Sequence, residues 1–265
     1  MNARIIVVNS HRRSGTHLLI DALCHNVERA VFPAHRKLPK DFNIGSLFRK
    51  DPDILQVFKR VFAHEGTVVV KSHLLPEEMN ITPQDPHEQL IRDVFDIAKH
   101  LYVYRDPRDT LRSLAGLLDD EQALNNFIDS PNDHFSPSRI ASEVDSTRTR
   151  YWAHHLAAWR DTPGVHLVKF EALRTCFDDT MNNVMAFLEE PEQASYTVPR
   201  LPKNQLWHRV LLKANKLGLI SSVPSSAIRP GKGQVGGAKV LFDETSLAKL
   251  QADIDRYNLG DLVQL

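Results

Sequence analysis

The sequence predicts an α/β protein: a central parallel sheet flanked by helices. Two observations carry this. Short strand-like runs at 5–8, 68–70, 101–104 and 165–168 are apolar instead of alternating, save for His166, as strands covered on both faces are. Longer stretches of helical periodicity separate them, at about 16–29, 51–63, 87–99, 107–118, 138–160 and 172–188. Strand and helix therefore alternate along the chain.

The first strand opens the chain and runs directly into a short polar turn and the helix from 16. Asp51-Pro52 and Asp106-Pro107 each set an N-cap carboxylate before a proline suited to the first helical position. From about 190 to 236 the pattern changes to prolines and glycines with weak periodicity. This reads as long loops with one short helix near 205–216, the kind of irregular stretch that compact domains keep for function. A last amphipathic helix spans about 243–257. There is no internal repeat, low-complexity tract or linker, so residues 1–265 read as one domain.

The 265 residues are ample for a buried core. Lys+Arg and Asp+Glu both number 33, for a net charge of zero, which argues against a general nucleic-acid or membrane-surface binder but leaves room for a local basic site. Cys24 and Cys176 make no disulfide framework and no metal-ligand cluster, so a reducing compartment, the cytoplasm, is the expected location. No apolar run approaches the roughly 20 residues of a membrane-spanning helix. The apolar stretch at the amino terminus is too short for a secretory signal and reads as a buried strand.

Three segments carry chemistry. The first is the turn Asn9-Ser10-His11-Arg12-Arg13-Ser14-Gly15-Thr16-His17 between strand and helix. Backbone amides and a helix dipole converge on an anion in such a turn, Ser14 and Thr16 add hydroxyls, and Arg13 adds a full charge. A capped helix start with two solvated arginines is the plain alternative. A Walker A loop fails here: Ser10 occupies the first glycine position, and Gly15 is followed by Thr16 where lysine is required. No strand ends in an evident magnesium carboxylate either.

The second segment, Val68-Val69-Val70-Lys71-Ser72-His73-Leu74-Leu75-Pro76, ends a strand with a lysine and a histidine two residues apart. An imidazole titrates near neutrality, so His73 suits a general base; capping the next turn is its plain alternative. The third runs from Leu101 through Arg105-Asp106-Pro107-Arg108-Asp109 to Ser113. Arg105 leaves the carboxyl end of a buried strand, where open α/β sheets bind ligands. Ser113 follows on the next helix, about 9 Å along its axis. An arginine can fork two bonds to a phosphate, and a serine can add a third.

Together these segments resemble the sulfotransferase family. Arg12-Arg13-Ser14-Gly15-Thr16-His17-Leu18 is similar to its 5′-phosphosulfate loop, Pro-Lys-Ser-Gly-Thr-Thr-Trp or, in many bacterial members, Pro-Arg-Ser-Gly-Thr. The Lys71 to Pro76 block is similar to the family's Lys-Thr-His-Leu-Pro, and Arg105 to Ser113 has the residues and spacing of its 3′-phosphate motif. A looser block, Gly231-Lys232-Gly233-Gln234-Val235-Gly236-Gly237-Ala238-Lys239, is similar to Arg-Lys-Gly-x-x-Gly-Asp-Trp-Lys. Lys232, Gly233, Gly236 and Lys239 match it, and Arg229 stands upstream of the missing arginine.

The resemblance implies a P-loop-like three-layer fold and a 3′-phosphoadenosine 5′-phosphosulfate (PAPS)-dependent O-sulfotransferase. It would transfer a sulfuryl group to a hydroxyl and release PAP, without a metal. It assigns His73 as base, with Arg13 and Lys71 as supporting cations. Arg12, Arg13, Ser14, Gly15, Thr16 and His17 fall on the 5′-phosphosulfate; Arg105, Ser113, Arg229, Lys232 and Gly233 fall on the 3′-phosphate. The departures are Leu18 for the adenine-stacking tryptophan, His17 for a threonine, and Phe170 for a frequent tyrosine. Phe170 and Trp207 are the candidates for holding the purine. The dimerisation motif of many animal members is absent, so oligomeric state stays open.

Two other functions remain open from sequence: a P-loop kinase or nucleotide hydrolase with a degenerate loop, and a non-catalytic binder of sulfated or phosphorylated ligands. His11, His25, His35, His64, His134, His154 and His155 show no metal spacing and read as solvated or core residues. Segments 31–50, 119–140 and 195–228 are expected to line the acceptor pocket. Their aromatics and charges suit a hydroxylated small molecule, a lipid or a carbohydrate alike.

Overall fold

The computed structural model describes residues 3–33, 42–63, 65–116, 127–128, 130, 147–199, 235–236 and 242–265. Five parallel strands form one sheet in the order β2-β3-β1-β4-β5: β1 (Arg4–Asn9), β2 (Ala30–Val31), β3 (Thr67–Ser72), β4 (Lys99–Tyr104) and β5 (Val165–Lys169). β1 pairs with β3 from Arg4↔Thr67 to Asn9↔Ser72, and with β4 from Ile6↔Lys99 to Asn9↔Tyr102. The chain adds strands to one side of β1 and then crosses to the other. The carboxyl ends of β3, β1 and β4 thus meet at a topological switch point, where ligands of open α/β sheets bind.

Alternation along the strands explains the layers. Ile5, Val7, Val68, Val70, Tyr102 and Tyr104 face one core, while Ile6, Val8, Val69, Leu101 and Val103 face the other. On the second face lie α1 (Thr16–Asn26) and the later helices Phe170–Thr175 and Phe177–Leu188. The first face is covered by the 3-10 helix Ile44–Arg49, α2 (Pro52–Phe62), α3 (Pro76–Met79), α4 (Pro86–Ile97), α5 (Pro107–Ala115), α6 (Arg148–Arg160) and the helix Glu244–Arg256. Three helices share an Asp-Pro start. Asp51 accepts from Asp53 N at 2.9 Å, Asp85 from His87 N at 2.9 Å, and Asp106 from Arg108 N at 2.8 Å.

Several expected boundaries shift. The first helix stops at Asn26, three residues short of 29, and Val27 is extended. The fourth stops at Ile97 because Lys99 already belongs to β4. The expected helix at 172–188 is two, α7 (Phe170–Thr175) and α8 (Phe177–Leu188), broken where Cys176 takes φ −135° and ψ 59°. The last helix, α9 (Glu244–Arg256), lies where expected. Of the stretch expected as helix from 138, Arg148–Arg160 is helical and residues 138–146 lie outside the described residues, as does the short helix near 205–216.

Candidate functional site

After Asn9 the chain stays beside β3 for one more residue, Ser10 N donating to Ser72 O at 3.2 Å, and then turns back into α1. The turn uses two left-handed residues, Arg13 at φ 70° and Gly15 at φ 101°. A glycine is required at 15 for a second reason. A Cβ there would overlap Phe170 Cδ2 and lie 2.9 Å from Cε2, so the helix start rests on the face of that ring. Gly15 is the N-cap of α1 and offers no side-chain oxygen to its first amides, and the first turn holds no acidic residue. Beside it the Ser14 hydroxyl is fully buried and has no hydrogen-bond partner among the described residues. A buried orphan hydroxyl next to an uncapped helix start fits an anion, which would satisfy both.

His73 sits just past the end of β3, across from this turn. Its Nδ1 donates to the Ser10 carbonyl at 2.7 Å, with Ser10 Oγ at 3.3 Å. That fixes the tautomer: Nδ1 carries the proton and Nε2 keeps its lone pair. Burial, with the Lys71 and Arg12 charges adding to it, holds the imidazole well below its ordinary pKa, hence neutral at pH 7. Its main chain is held from α6. His155 Nε2 donates to His73 O at 3.3 Å, and Trp159 Nε1 donates to Leu74 O at 2.9 Å. His155 is fixed in turn by Tyr102 Oη at its Nδ1, 2.9 Å away.

Arg105 leaves β4 almost fully buried. Its guanidinium lies 4.6 Å from the centre of the Phe170 ring and 3.3 Å from Asp109 Oδ2, a stacked and paired setting that aims the fork without a bulky escort. Arg13 Nε donates to Ser113 Oγ at 3.0 Å, joining the first and third segments across the switch point. Gly236 N donates to Asp109 Oδ2 at 2.8 Å, so the glycine-rich block touches the Arg105 cluster. Lys71 Nζ lies 3.2 Å from His17 Nε2. Arg12 stands beside His73 in a cavity of about 10 Å³ that His11, Leu114, Tyr151 and His155 complete.

Of the residues singled out in the sequence, the structure therefore gathers Arg12, Arg13, Ser14, Gly15, Thr16, His17, Lys71, His73, Arg105 and Ser113 at one sheet edge. Arg229, Lys232, Gly233 and Trp207 lie outside the described residues. Phe170 is 4% exposed and packs between Gly15 and the Arg105 guanidinium. Sequence reading takes His11 and His155 only as solvated or core residues and Tyr102 only as part of a strand. The contacts that join Tyr102 to His155 and His155 to His73 span 53 and 82 residues of sequence. Among the described residues no three His, Cys, Asp or Glu side chains form a metal-binding group. No described helix is long and apolar enough to cross a membrane.

The buried imidazoles make stability pH-dependent. Desolvation lowers His11 to about 4 and His155 to about 3. In the unfolded chain both protonate near 6.5. Between those values the unfolded state binds more protons, so stability falls as pH drops below about 6.5. His11 alone removes about 3 kcal/mol once pH reaches its folded value. Urea midpoints at pH 7.5 and 5 are expected to differ accordingly, and His11→Phe to flatten the difference. Equal midpoints in the native protein would contradict buried neutral imidazoles.

This is a parallel α/β protein with a turn that fits an anion, three arginines and a neutral imidazole at the switch point. The chain belongs to the sulfotransferase domain family, whose model matches residues 4–261. Comparison with curated proteins gives no match. Solved structures share the fold. A mouse sulfotransferase, SULT7A1, complexed with PAP is 13% identical at TM-score 0.55, over 96% of this chain and 84% of that one. Retinol dehydratase in complex with androsterone and inactive cofactor PAP is 15% identical at TM-score 0.56, over 98% and 82%. The sulfotransferase domain of the Synechococcus PCC 7002 olefin synthase is 15% identical at TM-score 0.54, over 100% and 96%.

Proposed function

We propose that this protein, as one catalytic domain, transfers the sulfuryl group of PAPS to a hydroxyl acceptor and releases PAP, with His73 as general base. The observation that carries the reading is the His73 tautomer: Nδ1–H is committed to Ser10 O, leaving the Nε2 lone pair for a hydroxyl proton beside the phosphate turn. PAPS, when bound, supplies an activated sulfuryl group and a leaving phosphate that gathers charge. On the protein side, the Ser14 hydroxyl and the first amides of α1 suit the 5′-phosphate, with Thr16 holding Ser10 at 2.6 Å. Arg13 supplies positive charge where the bridging oxygen gathers negative charge, and Lys71 is the supporting cation on the side of the sulfuryl group. Arg105 and Ser113 suit the 3′-phosphate, with Arg229, Lys232 and Gly233 assigned to the same group.

A hydroxylated small molecule is the acceptor class we assign. Retinol dehydratase, which shares the fold, has been seen with retinol and with androsterone. Lipid and carbohydrate hydroxyls fall within the same chemistry. A reducing compartment such as the cytoplasm suits the free thiols of Cys24 and Cys176.

The test is calorimetric titration with PAP, then with ATP plus magnesium. Metal-independent PAP binding is expected, and a preference for ATP with magnesium would overturn the reading in favour of a kinase-like protein. Arg105→Ala is expected to weaken PAP about 10–100-fold, the loss of charge-assisted bonds. It also leaves Asp109 buried without its cation, so thermal stability should fall with it. Arg105→Lys keeps the charge and should regain stability more than affinity. Unchanged PAP affinity in both variants would remove Arg105 from the 3′-phosphate.

A further inference from the structure

We infer that His17 is a positioning residue for Lys71, acting on the sulfuryl group through that lysine and not on the 5′-phosphate itself. The inference rests on the sulfotransferase reading above. An ammonium has donors only, so the 3.2 Å contact from Lys71 Nζ makes His17 Nε2 the acceptor and puts the ring proton on Nδ1. Nε2 is thereby engaged as an acceptor and cannot donate to a phosphate.

Both partners are held from several sides. Lys71 is 6% exposed. Its backbone pairs in register with Val8, bridges to Asn43, and donates N–H to Phe42 O at 3.0 Å. Strand alternation sends its side chain to the α1 face, the face of Val69. His17 is the second residue of α1, and Phe32 meets its ring edge-on at 6.2 Å and 89°. The chemistry of the partner matters as much as its place. A neutral imidazole that accepts from the ammonium orients it without adding an opposite charge of its own.

The experiment is a double-mutant cycle read by binding. Affinities for PAP and for PAPS, which differ by the sulfuryl group, are measured by calorimetry on the native protein, His17→Phe, Lys71→Met and the double variant. Native protein is expected to prefer PAPS to PAP. Lys71→Met should cut that preference about tenfold, His17→Phe should reproduce the cut, and the double variant should add nothing. PAP affinity should fall less than PAPS affinity in every variant, and native-like far-UV circular dichroism and thermal midpoints certify that the variants fold. His17→Gln, which keeps an acceptor, should recover part of the preference. In the native protein the His17 nitrogen-15 signals should report an unprotonated Nε2.

A tenfold loss of PAP affinity in His17→Phe would overturn the inference in favour of a direct 5′-phosphate contact. Losses that multiply in the double variant, equal native affinities for PAPS and PAP, or a protonated Nε2 would overturn it as well. Failure of the native protein to bind either nucleotide is the distinct result that removes the sulfotransferase reading and this inference together.

Discussion

His73→Ala is expected to lower sulfuryl transfer about 10²–10⁴-fold, the span of a lost general base, while PAP affinity stays near native. The two readouts separate because, on the proposed reading, the imidazole meets the acceptor and not the nucleotide. Its ring is anchored to Ser10 through Nδ1, and Nε2 makes no hydrogen bond to a described residue. Turnover is followed as PAP released from PAPS with a panel of phenols and aliphatic alcohols. Full activity in the variant would remove His73 as the base. A parallel loss of PAP affinity would instead make it a brace for the turn. Because the native imidazole titrates well below 6.5, lowering pH from 7 to 6 should leave its protonation state, and hence this step, nearly unchanged.

Gly15→Ala is expected to be the most damaging small substitution. The new methyl would meet the Phe170 ring, and φ 101° is a conformation that alanine rarely adopts. Strain of this sort costs about 1–3 kcal/mol and overpacking about 1–3 kcal/mol more. The thermal midpoint should drop, and PAP affinity should fall at least about tenfold as the α1 amides shift. Adding Phe170→Leu relieves the contact but not the backbone, so Gly15→Ala with Phe170→Leu should recover stability in part. A Gly15→Ala protein with native midpoint and native PAP affinity would contradict the turn described above.

The central strands were legible because a fully covered parallel strand is apolar at every position, as at 5–8, 68–70 and 101–104; the run 165–168, with His166 and half-buried positions, also lies within an observed strand. β2 was not, since two residues carry no period. Neither the 3-10 helix Ile44–Arg49 nor α3 is long enough to show one. The break at Cys176 has neither glycine nor proline to announce it.

The site divides the same way. The turn, His73 and Arg105 lie within local blocks, where residue type and spacing suffice. Arg13 on Ser113, Lys71 on His17, and Phe170 under Gly15 join segments 54 to 155 residues apart. Such pairs depend on strand order, which pattern alone does not give. His17, read as a phosphate ligand from its place in the loop, is found beside a lysine of another strand for this reason.

Asp109 serves two masters with one atom. Its Oδ2 takes both the Arg105 guanidinium and the amide of Gly236. A carboxylate oxygen can accept from both at once, so a single side chain ties the end of β4 to the backbone of the distant glycine-rich block. A change at Asp109 is therefore felt in two segments that lie 131 residues apart in sequence, Arg105 and Gly236.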